Sequence, residues 1–287
     1  MSAKFGPAGN AESFPYKSSV DAPRWLQELG LDCYEYQCGK GVRVKEETAV
    51  ALGRQAQERG IALSLHAPYF INLANPDPES QEKTIGYITA ACGVASQMGA
   101  TRVVIHSGAL MKRTREEAMN IALPFLKRIV AVCEDQGFGH IALCPETMGK
   151  INQLGDLDEV LRLCQVHESL IPCVDFGHLY ARSLGADEGA EAVERMLSRM
   201  EAELGVDRAS RFHSHFSHIE FTPNGGEKCH RTFDDDGGYG PDWDPLARAV
   251  AERGWSPTFI CESAGTQAED AVTMKKIYQS YQSERSF

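Results

Sequence analysis

Short apolar runs alternate with amphipathic runs along all 287 residues, and this alternation constrains the fold more than any other feature. Continuous apolar runs such as Val103-Val104-Ile105 suit parallel strands buried on both faces. Strands are expected near Lys4–Pro7, Cys33–Gln37, Ala62–His66, Arg102–His106, Ile141–Glu146, Ile171–Asp175, Phe212–Phe216 and Thr258–Glu262. Helices are expected near Ser19–Leu29, Glu46–Arg59, Pro78–Met98, Thr114–Gln136, Leu157–Cys164, Glu188–Leu204, Pro245–Glu252 and Ala268–Ser280. The helix reading rests on 3.6-residue spacing, as in Ile121, Ala122, Phe125, Leu126, Ile129 and Val130. Pro124 inside that run predicts a kink or a break. Gly99, Gly137 and Gly205 stand where helices want a left-handed terminal residue.

Eight strand–helix units match a (β/α)8 TIM barrel, whose usual size is roughly 250 residues. A doubly wound open sheet would carry a G-x-G-x-x-G loop after its first strand, and this chain has none there. No composition shift or linker divides the chain, so one domain is expected over residues 1–287. Its one long irregular stretch is a loop at 218–242 after the seventh strand. With 43% hydrophobic and 24% charged residues, the composition excludes dominant disorder, collagen and coiled coil. No apolar run reaches the roughly 18 residues of a membrane span, and no secretory signal is recognised near the start. Nine scattered cysteines read as reduced thiols. The expectation is a cytoplasmic monomer with no membrane partner. A net charge of −11 argues against holding nucleic acid by bulk charge, although carboxylates gathered around cations count in that sum.

The chemistry-bearing residues fall at strand ends. His66 ends the third strand, His106 the fourth, Glu146 the fifth, Asp175 the sixth, His215 the seventh and Glu262 the eighth, with His178 three residues beyond Asp175. Barrel strand ends converge on one face, where such enzymes place their sites. A single histidine there reads as a hydrogen-bonded rim residue and a single carboxylate as a helix cap. Six consecutive strands ending this way point instead to a divalent metal centre, zinc first, with manganese or iron as alternates. Three carboxylates buried together without cations would also be costly. His213 shares a strand face with His215 and is expected one layer deeper, as its hydrogen-bonding support, with a swap of the two as the alternative. His140 and His167 are expected on the opposite face or surface and His218 in the loop. Cys144 and Cys261 read as small buried hydrophobes.

These motifs resemble the endonuclease IV family of apurinic/apyrimidinic endonucleases, within the xylose-isomerase-like barrel superfamily. The most specific match is His66-Ala67-Pro68-Tyr69-Phe70-Ile71-Asn72-Leu73. His106, Glu146, Asp175, His178, His215 and Glu262 fall where that family carries metal ligands, and His230 looks like the histidine of its Asp-x-His element. The resemblance implies two or three zinc-class ions and hydrolysis of DNA 5′ to an abasic site. His66, His106 and Glu146 would hold the first ion. Glu146 would bridge to a second, held also by Asp175, His215 and Glu262. His178 and His230 would hold the third. Glu146 and Glu262 would be the catalytic carboxylates, orienting and deprotonating the attacking water. Tyr69 and Phe70 match the aromatic wedge inserted into the DNA, and Asn72 belongs to the same substrate-binding stretch.

Two departures stand out. Lys228 occupies the place of the family aspartate, so that Glu227 reaches in its stead, the third ion is missing, or Lys228 binds a substrate phosphate. The loop after the second strand reads Gln37-Cys38-Gly39-Lys40-Gly41-Val42-Arg43, keeping positive charge but not the family residues. The competing function is a one-metal isomerase or epimerase acting on a small, phosphorylated sugar, for which Glu146, Asp175, His215 and Glu262 would suffice.

Overall fold

The computed structural model describes residues 2–284. Its elements run β1 (Lys4–Pro7), α1 (Ala22–Glu28), β2 (Cys33–Gln37), α2 (Glu46–Arg59), β3 (Ala62–His66), α3 (Pro78–Met98), β4 (Arg102–His106), α4 (Arg115–Asp135), β5 (Ala142–Glu146), α5 (Leu157–Cys164) and β6 (Cys173–Asp175). The second half continues α6 (Phe176–Arg182), α7 (Gly189–Leu204), α8 (Val206–Ala209), β7 (His213–Phe216), β8 (His218–Thr222), β9 (Gly226–Arg231), α9 (Asp244–Arg253), β10 (Thr258–Cys261) and α10 (Gln267–Glu284). Eight parallel strands lie in the order β1-β10-β7-β6-β5-β4-β3-β2. A parallel bridge from Ala8 to Glu35 joins the two ends, giving the expected TIM barrel.

Local chemistry accounts for the helix boundaries. Asp77 caps α3 by accepting from the Ser80 N–H at 2.8 Å, and Gly99 ends that helix at φ 71°. Thr114 and Glu117 form a capping box at α4, and Asp156 and Glu159 another at α5. The break expected at Pro124 does not occur, because α4 runs through it with Ala122, Phe125, Leu126 and Ile129 all buried. Packing against the barrel outweighs the one lost backbone donor.

The region 218–242 is not one irregular loop. Residues His218–Thr222 and Gly226–Arg231 pair as an antiparallel hairpin beside the barrel mouth. His218 accordingly sits in β8, its ring stacked on Phe233 at 4.7 Å. The short helix α6 directly follows β6, beyond the helices expected from apolar spacing.

Large apolar side chains pack between the strands and the helices. Inside the barrel the apolar filling is small: Val104, Cys144 and Cys173 in one cluster, Ala8, Cys33 and Ile260 in another. That leaves room for two layers of polar side chains, the upper of them opening to the barrel mouth.

Candidate metal centre

The parallel register places the strand-end residues beside one another. His106 pairs with Glu146 across β4 and β5, and Asp175 with His215 across β6 and β7. Glu146 is central: its Oε2 lies 3.3 Å from both His66 Nε2 and His106 Nε2, and its Oε1 lies 2.9 Å from His215 Nδ1. Glu262, from the end of β10, brings Oε2 within 3.6 Å of His215 Nδ1. The potential ligand atoms of Glu146, Asp175, His215 and Glu262 all lie within 4.8 Å of one another, as do those of His66, Glu146 and His215. A pocket of about 650 Å³ opens above them, lined also by Gln37, Tyr69, Met148 and Lys150.

Asp175 combines two roles. Its Oδ1 accepts from the His178 N–H at 2.7 Å and so caps α6, which turns His178 into the site. Its Oδ2 is buried and accepts no hydrogen bond. A buried carboxylate oxygen without a donor, aimed at two further carboxylates, fits a divalent cation.

The ionisation pattern reflects the same crowding. Burial would push the Glu146 carboxyl up, but His215, His66 and His106 together hold it well below its usual range. Burial pulls His106 down to about 4 against the opposing pull of Glu146. His178 is lowered by burial, but Asp175, Glu227, Glu146 and Glu262 outweigh that and raise it to about 9. Histidine pKa values pushed in opposite directions within one pocket mark a site built around charge.

A third cluster joins His178, Glu227 and His230 within the same 4.8 Å limit. The hairpin explains how Glu227 enters. Glu220 pairs with Cys229 and Phe221 with Glu227, so Lys228 is the extra residue of a β-bulge. The bulge turns Lys228 and Cys229 together towards Glu220 and leaves Glu227 and His230, three residues apart, facing the pocket. Glu227 Oε2 lies 3.5 Å from His178 Nε2. Gly149 makes space for this, since a Cβ there would sit 2.6 Å from Glu227 Cβ and 2.9 Å from His178 Cδ2. Lys228, expected to bind substrate, is exposed and its ammonium bonds Glu220.

Tyr69 is 54% exposed and covers the pocket, stacked on His106 with ring centroids 5.6 Å apart. It lies over Gly39, where a Cβ would meet its ring at 2.2 Å. Phe70 is 53% exposed on the rim, edge-on to Tyr87 at 4.8 Å. Asn72, expected in the substrate-binding stretch, is half-buried. Its Oδ1 accepts from the Ala74 N–H at 3.0 Å and its Nδ2 donates to the Ala109 carbonyl at 3.4 Å, tying two loops together below the rim.

The other histidines separate as expected. His140 reaches Ser96, and His167 bonds Ser169 near Glu134. Cys144 and Cys261 are buried, their thiols each pushed up by burial to about 12. The described cysteines are all unpaired thiols.

Sequence reasoning missed Glu35. It is fully buried in the middle of β2 and crosses the barrel to β7, where its oxygens lie 2.9 Å from His213 Nε2 and 2.9 Å from His215 Nε2. Ser64 donates to it at 2.8 Å and Gln37 at 3.2 Å. Burial would raise its carboxyl, but His215 and His213 hold it well below the ordinary range. His213 lies in this deeper layer, as expected.

The chain belongs to the xylose isomerase-like TIM barrel family, whose model matches residues 23–278. Among curated relatives, an uncharacterized protein of Methanocaldococcus jannaschii is 33% identical over 88% of this chain and 89% of its own length. A probable endonuclease 4 of Mycoplasma pneumoniae is 28% identical over 47% of this chain and 48% of that protein, so the match spans about half of each. Two solved structures share the fold: a D-tagatose 3-epimerase-like protein, with TM-score 0.68 and 19% identity over 94% of this chain and 98% of that one, and endonuclease IV from Thermus thermophilus, with TM-score 0.63 and 17% identity over 93% and 94%. Proteins named as an endonuclease and as epimerase-like thus share this fold.

Proposed function

We propose that this chain is a multi-metal phosphodiesterase that hydrolyses DNA 5′ to abasic sites. The observation that carries the reading is the joining of three ligand clusters through Glu146 and His178 around one pocket. His66, His106 and Glu146 would hold one cation. Glu146, Asp175, His215 and Glu262 would hold a second, and His178, Glu227 and His230 a third. When bound, such ions polarise phosphoryl oxygens and acidify water, which is what phosphodiester hydrolysis at neutral pH requires.

The chain's own residues divide the remaining work. Glu262 is 17% exposed, and its Oε2 faces the pocket beside His215 and His230, where it can take the proton of the attacking water. Glu146 is almost fully buried between histidines and orients rather than shuttles. Tyr69 and Phe70 offer exposed rings for the gap left by a missing base, and aromatic stacking supplies about 1–3 kcal/mol per base. Lys40, Arg43, Lys112 and Lys150 are exposed on the loops after β2, β4 and β5. None is within 4.0 Å of a carboxylate among the described residues. Against a net charge of −11, they give the rim a local cationic arc suited to phosphates.

The second reading is a sugar epimerase, favoured by the compact Glu146, Asp175, His215 and Glu262 group, which one cation could fill. It leaves His66, His106, His178, Glu227 and His230 without a ligand role. The test is a duplex oligonucleotide carrying one tetrahydrofuran abasic analogue, which cannot undergo β-elimination. Metal-loaded protein is expected to nick it on the 5′ side. An intact duplex together with turnover of a ketose would overturn the proposal.

A further inference from the structure

The histidines of the centre are held in different ways. His66 donates from Nδ1 to the Ala67 carbonyl at 2.7 Å, and His178 from Nδ1 to the Thr147 carbonyl at 2.8 Å. His230 Nδ1 meets Ser217 Oγ at 2.8 Å. Each thereby presents Nε2 to the pocket, as the 3.3 Å, 3.5 Å and 4.0 Å approaches of these nitrogens to Glu146, Glu227 and Glu262 show. His215 is reversed. Its Nε2 points down to Glu35 Oε1 at 2.9 Å and its Nδ1 points up to Glu146 and Glu262.

The direction of that lower bond is set from the far end of the barrel. Arg102 approaches His213 Nδ1 at 3.4 Å while also bonding the Phe212 and Arg211 carbonyls. A guanidinium only donates, so His213 Nδ1 accepts and its proton sits on Nε2. His213 Nε2–H then donates to Glu35 Oε2, beside the Ser64 hydroxyl. The carboxylate is acceptor-only, so the atom of His215 facing it must also carry a proton. Cys173, His213 and His215 gather closely enough to suggest a deeper cation site. The occupied nitrogens and the adjacent Arg102 charge make that layer a hydrogen-bonded support instead.

We propose that Glu35 is a positioning residue for the metal centre: anchored by Ser64 and His213, it fixes His215 as the Nε2–H tautomer and so offers Nδ1 to the cation shared with Glu146, Asp175 and Glu262. This rests on the reading of that group as a metal site. A carboxylate behind a ligating imidazole both orients the ring and strengthens its donor nitrogen, and loss of such a partner weakens metal binding by about 10–100-fold.

Two measurements test it. In zinc-loaded, 15N-histidine-labelled protein, long-range 1H–15N correlations should show His215 protonated at Nε2 and ligating through Nδ1, the reverse of His66 and His178. A His215 ligating through Nε2 would overturn the proposal in the wild-type chain, without recourse to any variant. In Co2+ titrations against a competing chelator, Glu35→Gln should weaken one class of site by about 10–100-fold and change its d–d absorption. The site of His178, Glu227 and His230 should keep its affinity, and Glu35→Asp should recover part of the loss. Unchanged affinity and spectrum in Glu35→Gln would sink the positioning role while leaving the metal centre standing. Failure of the wild-type chain to bind either ion would overturn the metal reading and this inference with it.

Discussion

Two polar layers lie inside one barrel, and they are built on opposite terms. In the lower layer Glu35 has four donors, His213 has a partner at each nitrogen, and Ser64 and Arg102 complete the set. Nothing in it asks for a ligand. In the upper layer Glu146, Asp175 and Glu262 converge, Asp175 Oδ2 has no donor, and the space above is open. The lower layer is satisfied by the protein itself, whereas the upper one leaves acceptor sites open for the cations we propose. The contrast teaches that burial of charge is not one phenomenon. The same residue types stabilise the fold where every hydrogen-bonding site is used, and create binding power where some are withheld.

Substitution in each layer tests the distinction. Glu146→Gln should weaken metal binding by more than about 100-fold, beyond the loss of an outer hydrogen-bonding partner, with a matching loss of cleavage. Its metal-free form should lose only a few degrees of melting temperature, because the glutamine keeps an acceptor oxygen for the histidines that the carboxylate held. A large fall in that melting temperature would erase the difference between the layers. Glu35→Leu should do the reverse, destabilising even the metal-free chain by about 3 kcal/mol or more in urea denaturation. It strands the Ser64, His213 and His215 donors in a dry interior.

The pH response separates the layers further. His178 is raised from an ordinary histidine value near 6.5 to about 9. Its contribution to metal-free stability is therefore complete below pH 6.5 and lost as pH climbs through 9, by something on the order of 3 kcal/mol. Cation binding needs the neutral ring, so zinc should restore more stability at pH 9 than at pH 6.5. A chelated protein whose melting temperature rises across that interval would contradict the assignment. The smallest effect is expected outside both layers. Lys228→Ala should change metal affinity and cleavage less than about twofold, since its ammonium faces Glu220 on the solvent side of the hairpin.

The barrel and the upper layer were legible in the sequence because each depends on something local. A strand-end position after an apolar run fixes where a side chain points in any parallel barrel, so His66, His106, Glu146, Asp175, His215 and Glu262 could be grouped without knowing which strands pair. The lower layer was harder to see. Glu35 sits in Cys33-Tyr34-Glu35-Tyr36-Gln37, and a charge between two tyrosines reads as a solvent-facing strand position. The missing signal was period two: Cys33, Glu35 and Gln37 share a face, and the two tyrosines take the other. Glu227 depended on a bulge, which no residue type announces. The hairpin around it did have a signal, Pro223-Asn224-Gly225-Gly226 between two short alternating runs. At Pro124 the helix is unbroken because propensity is local and packing is not.

The most direct measurement is the number of zinc ions held per chain after reconstitution and exhaustive dialysis, with their positions located by anomalous scattering. Two or three ions, one of them coordinated by Glu146, Asp175, His215 and Glu262, are predicted. A single ion bound by those four residues, with His66, His106, His178 and His230 uncoordinated, would contradict the account.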